Sequence, residues 1–298
     1  MTVVVLRWLQ FAAAVVALGL PLFGMYSPAA SGRALQTPTS VIAGLTLALG
    51  AVGGLLAQTA MMAGGWAAAL DVTAVGYVVK STGLGMAHVA RAGLAILGVA
   101  LLLASGGRRT LTVVAVVAFA GATASFAWSG HGSASEGPAG AIHLVADITH
   151  ALAAAVWIGA LVGFCLVVAR RDRQDVEGAA RSLAGFGTVG TVAVLTLALS
   201  GMVNTAFLVG VEGSDRLAAS VWGQLLFAKI GLFLLMIWLA SHNRYTLTPA
   251  LERALRDEGD PTEAVRGLRV SIGLELAAGI ALLGLVAAMG VQMPPASI

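Results

Sequence analysis

Three residues on one expected helix carry the chemistry of this chain. His143, Asp147 and His150 stand at i, i+4 and i+7 in an otherwise apolar run, so they share one helix face. An aspartate at the centre of a membrane span costs about +2.5 to 3.5 kcal/mol on insertion scales, so Asp147 should face a bundle interior and have a partner. Arg91 of the third span, at similar depth, and Lys229 of the seventh are the candidates for a structural or coupling ion pair with it. One reading of the face is that ion pair flanked by two hydrogen-bonded histidines; the other is a ligand or relay path. The backbones of His143 and His150 differ by ~10.5 Å along the axis. One ion does not easily bind both, so the face reads as successive steps, or as one site plus a residue at its mouth.

The elements that hold these residues belong in lipid. The 298 residues are 58% hydrophobic and 10% charged, with 38 glycines and a mean hydropathy of +0.92. Soluble chains are about 25% charged, so a water-soluble enzyme of this size is excluded. The single cysteine, Cys165, cannot form an internal disulfide, and a lone buried cysteine is most often inert. Hydrophobic runs at roughly 4–25, 41–64, 86–104, 110–129, 142–169, 185–210, 221–242 and 270–291 are each about long enough to cross a ~30 Å hydrocarbon core. The expected fold is all-α: a polytopic membrane bundle of about eight transmembrane helices, one domain over residues 1–298, packed through its scattered glycine and alanine. The first run is expected to remain as a span. A cleaved signal peptide ending near Ala29 and Ala30 is the rival reading, and the length of the run and Pro21 inside it argue against that.

Arginines set the orientation. Arg170, Arg171, Arg173 and Arg181 follow the fifth span, and Arg244, Arg253, Arg256, Arg266 and Arg269 follow the seventh, so both loops should be cytoplasmic. Arg33, Arg108 and Arg109 fall on the same side. The pattern alternates consistently only with both termini periplasmic. The net charge of +3 therefore reports topology and does not imply nucleic acid. Walker-type, phosphate-binding and Cys-x-x-Cys signatures are absent, so ATP is not implied either.

In that orientation Met61, Met62, Met86, Met202, Met289 and Met293, six of nine methionines, map to the outer half. So do His88, His131, His143 and His150, four of five histidines. Thioether and imidazole together suit copper, Cu(I) more than Cu(II), because soft ligands select soft ions. Each methionine alone is more often core packing; the one-sided clustering is what points to metal. His88 is the cross-helix ligand expected at the mouth. His242 and Glu275 mark a candidate inner exit, with caps and ion pairs as the plainer explanation. Trp8, Trp66, Trp128 and Trp222 lie near span ends, as interfacial anchors do.

The stretch Ala146-Asp147-Ile148-Thr149-His150, continuing through Trp157-Ile158-Gly159, resembles the signature of the CopD copper-resistance membrane proteins. Gly223 to Lys229, then Asn243 to Leu251, is similar to that family's second marker, and Ser129-Gly130-His131 fits its outer loop. The likeness covers about residues 80–295. It implies an eight-helix protein of the bacterial inner membrane that handles copper with a periplasmic CopC-like protein, which here must be a separate chain. Asp147, His150 and His131 fall on matching positions; His88, His143 and the methionines come from chemistry and depth.

Three functions follow as expectations. The first is copper transport, as uptake from a periplasmic donor past His143, Asp147 and His150, with no catalysis. The second is a haem b redox protein in which His88 and either His143 or His150 ligate iron. The third is a non-transporting membrane receptor for a copper chaperone.

Overall fold

The structure, a computed structural model, describes residues 2–27, 33–130, 137–169, 173–210, 215, 217–257 and 260–297. Eight helices among them are long and apolar enough to cross a membrane. The first two, α1 (Thr2–Tyr26) and α2 (Arg33–Ala63), are followed by the short α3 (Trp66–Ala69) and α4 (Val72–Ser81). Next come α5 (Gly83–Ser105) and α6 (Arg109–Ala124), the latter extended by a 3₁₀ turn over Ser125–Ser129. The second half comprises α7 (Gly137–Val168), α8 (Arg173–Val209) and α9 (Val221–His242). A π-helical turn, Asn243–Leu247, then joins α9 to α10 (Thr248–Arg256), and α11 (Thr262–Met289) closes the bundle.

The ends are fixed locally. Thr82 and Ser220 cap α5 and α9 by accepting from the amides of Gly85 and Gly223 at 2.9 and 3.0 Å. Gly106, at φ 50°, closes α5 in the left-handed conformation that glycine adopts without strain. Arg269 reaches from α11 to the free carbonyl of Val168 at the end of α7 (2.6 Å).

Helix α1 is the hub, packing on α2 and α6 on one side and on α7 and α11 on the other. Its closest crossing is with α7, where a Cβ on Gly159 would overlap the Cα of Gly19 and one on Gly19 would overlap the carbonyl of Ala155. Small residues there bring the two backbones together, as lipid-embedded helices require. Trp8, expected as an interfacial anchor, instead donates to the carbonyl of Ile280 at 3.1 Å and ties α1 to α11. On the far side of the bundle α8 leans on α7 and barely touches α9, which leaves a lateral groove between them.

The end at which α1 and α7 begin is called the near end below. Arg108, Arg109, Arg244, Arg253, Arg256 and Arg266 all lie toward the opposite, far end.

Candidate metal pathway

The polar face of α7 meets a matching face on α8. His143, Asp147 and His150 are opposed in antiparallel register by Phe207, Asn204 and Ser200, which stand at i, i−3 and i−7 on one face of α8. His143 is buried and stacks on Phe207, with ring centroids 4.8 Å apart and planes within 3°. Asp147 faces the Asn204 amide, with Nδ2 3.5 Å from Oδ1. His150 Nδ1 lies 3.0 Å from Ser200 Oγ. The Ser200 hydroxyl already donates to the carbonyl of Thr196 at 2.5 Å. It has one hydrogen, so it can only accept from His150. His150 thus carries its proton on Nδ1 and keeps a lone pair on Nε2, the arrangement of a metal-ligating imidazole.

His143, Asp147, His150, Lys229 and Met289 line one cavity of about 200 Å³, together with Arg7 of α1. Asp147 thus shares its space with His143 on its own helix, Lys229 of α9 and Arg7 of α1. Trp222, expected as an interfacial anchor, is instead buried in the wall of this cavity.

Arg91 does not pair with Asp147, contrary to the sequence expectation. It donates to Ser125 Oγ (3.0 Å), Gln10 Oε1 (3.0 Å) and Ser129 Oγ (2.7 Å), and lies 3.7 Å from the centroid of Phe126. Depth along a helix axis matched the two residues, but α5 packs against α2 and α6, not α7. Arg91 instead lines a second cavity, about 60 Å³, with His88 and Met61. His88 Nδ1 donates to the carbonyl of Leu84 at 2.9 Å, so its Nε2 also keeps a lone pair, directed toward Gly54. Arg7 lines both cavities. The two histidines on different helices that haem would need therefore open into different spaces.

The remaining methionines do not converge. Met86 is exposed and lines a separate near-end hollow with Lys80 and Trp128, and Met202 is exposed in the lateral groove. Met62 and Met293 are exposed. His131 lies outside the described residues. Among the described residues no three His, Cys, Asp or Glu side chains group as a metal-binding cluster.

Beyond the α7 face the spaces continue. His150 and Lys229 also line the lateral groove, about 660 Å³, which ends at Trp157. Trp157 in turn lines a far-end cavity of about 240 Å³ with Glu275, Asn243 and Arg244. Glu275 is 2% exposed and accepts from Trp157 Nε1 at 2.8 Å and from Asn243 Nδ2 at 2.9 Å. The π turn places Asn243 there, and such turns recur at functional sites. His242 stacks on Trp238 and does not line this cavity.

Sequence reasoning missed Arg7, Ser200 and the bonds by which Trp157 and Asn243 hold Glu275, itself an expected exit residue. Ser200 had a findable signal, the polar spacing on α8 that mirrors α7.

Residues 1–141 match the family described as copper resistance protein D-like, N-terminal domain, and residues 180–289 match copper resistance protein D. The chain is 38% identical over 291 residues to copper resistance protein D of Pseudomonas syringae pv. tomato, covering 93% of this chain and 91% of that one. It is 31% identical over 128 residues to inner membrane protein YebZ of Escherichia coli (strain K12), 42% of each chain. Copper transport protein CutJ of Bacillus subtilis (strain 168) is 27% identical over 127 residues, 42% of this chain and 23% of that one. No solved structure matches.

Proposed function

The chain belongs to the copper resistance protein D family, and from that premise we propose that it carries copper inward across the bacterial inner membrane. It is a multi-pass membrane protein of that compartment, a placement supported by its eight apolar helices and by the relative named as an inner membrane protein. The arginines gathered at the far end support a cytoplasmic far end and periplasmic termini. A periplasmic CopC-like protein delivers copper, as Cu(I), to the near end. Copper is cargo, the whole chain works as one bundle, and no reaction is catalysed.

The observation that carries this reading is the cavity shared by His143, Asp147, His150 and Met289. Neutral imidazole and thioether suit a cuprous ion, and the carboxylate lowers the cost of its charge in a low-dielectric interior. Lys229 and Arg7 oppose a cation in the same space, which favours handing the ion on over trapping it. His150 opens toward both this cavity and the groove that ends at Trp157, and Glu275 beyond it is the exit carboxylate.

The test is copper uptake into vesicles that hold the purified protein and are supplied anaerobically with Cu(I). Uptake should fall at least tenfold in both His143→Ala and His150→Ala. Uptake equal to wild type in both variants overturns the pathway.

A further inference from the structure

The two near-end cavities carry more positive charge than their one carboxylate offsets. Arg7, Arg91 and Lys229 line them, and Asp147 is the one carboxylate that does so among the described residues. Arg91 is 1% exposed, and the groups it binds, Ser125, Gln10, Ser129 and the Phe126 ring, are all neutral. Arg7 donates Nη1 to the carbonyl of Ser129 at 3.3 Å, while its buried Nε has no hydrogen-bond partner. The end of α11 at Gly290 packs against the Arg7 guanidinium, and a helix C-terminus supplies about half a negative charge at most. Buried cations persist in membranes when they are paired. Here two guanidiniums converge on Ser129, Arg7 on its carbonyl and Arg91 on its hydroxyl, while Asp147 lines the cavity of Arg7 and Lys229 and not that of Arg91.

We propose that the cavity between Arg7 and Arg91 binds a small monovalent anion, a halide or a formate-sized carboxylate. Its volume of about 60 Å³ sets the size limit. At ~30 Å³ per water-sized group, it admits about two such groups, too few for a phosphate or a lipid headgroup. The Arg7 guanidinium and the remaining N–H groups of Arg91 supply the donors, with the side chains of Gln10 and Gln58 in the same wall. The bound anion neutralises the mouth beside His88, so that a cation can approach Asp147 past Arg7.

The experiment uses the purified full chain without copper, so its outcome does not depend on whether the protein transports copper. Melting temperature is followed against chloride, bromide, formate and sulfate, each replacing bulky gluconate at constant ionic strength. A site of this kind gives a saturable rise with chloride and bromide, or with formate if a carboxylate is the ligand, and none with sulfate. The half-saturating concentration should rise at least tenfold in Arg7→Gln and in Arg91→Lys, and stay unchanged in the near-end control Lys80→Gln. The Arg7 variant keeps the test decisive should the Arg91 variant fail to fold. The proposal is overturned by no anion-specific rise, by a rise that survives in Arg7→Gln, or by equal loss in Lys80→Gln.

Discussion

His150 gives its Nδ1 proton to Ser200, whose own hydroxyl is committed to the carbonyl of Thr196. That chain of two bonds, anchored on backbone, fixes the ring's tautomer and leaves Nε2 as the free nitrogen. Replacing Ser200 with alanine removes the acceptor and lets the ring rotate or retautomerise. Groups in this supporting position typically govern about 10- to 100-fold in metal affinity. Ser200→Ala should weaken Cu(I) binding by that order in a competition titration while leaving the melting temperature within a few degrees. Unchanged affinity would remove Ser200 from the site.

Glu275 and Asn243 predict opposite outcomes for two substitutions. In Trp157→Phe the Glu275 Oε1 loses its donor in a buried place, at a cost of about 1 to 3 kcal/mol. In Glu275→Gln the new amide would face the Asn243 Nδ2, but Asn243 has an unpartnered buried Oδ1 and can turn over to accept. Stability should therefore fall clearly in the first variant and little in the second, by denaturant titration in detergent. Copper uptake should slow in Glu275→Gln all the same, because the exit carboxylate is gone. A Glu275→Gln protein as unstable as Trp157→Phe would contradict this account of the network.

The contact of Gly19 with Gly159 leaves no room for a side chain. Gly159→Ala must push α1 and α7 apart, and overpacking of this kind costs about 1 to 3 kcal/mol. Gly231 of α9 has nothing within 4 Å of an added Cβ. Gly231→Ala should be neutral or stabilising by up to about 1 kcal/mol, from helix propensity alone. Thermal unfolding of the two alanine variants side by side checks the pair, and equal stability would mean that the crossing is looser than described.

What could be read from the sequence was local. The shared face of His143, Asp147 and His150 follows from helical repeat alone, and eight spans follow from composition. The partner of Arg91 could not be read, because it depends on which helices flank α5, and sequence depth does not encode that. Span ends were also misplaced. Residue 185 was the expected start of the sixth span, but α8 begins at Arg173, since its charged first turns need no apolar surroundings to be helical. The seventh span was expected to stop at 242, yet the chain runs on through the π turn to Arg256. Methionine clustering gave an end of the molecule but no geometry. Of the six, Met289 is buried and lines the α7 cavity, whereas Met61, Met62, Met86, Met202 and Met293 are more than half exposed.

The π turn also sets the angular phase of everything after it. One additional residue in a helical turn rotates the following segment by about 100° relative to an unbroken α-helix. Asn243 can therefore look inward at Glu275 while Leu251, further along, is fully buried on its own core face. Deleting a single residue between Asn243 and Leu247 would let the ladder close as an unbroken α-helix with Leu251 still on that core, whereas inserting one would swing Leu251 away by about 100°. The tail of this long helix is indexed to its head by one absorbed residue, so its register survives the loss of that residue better than the gain of another.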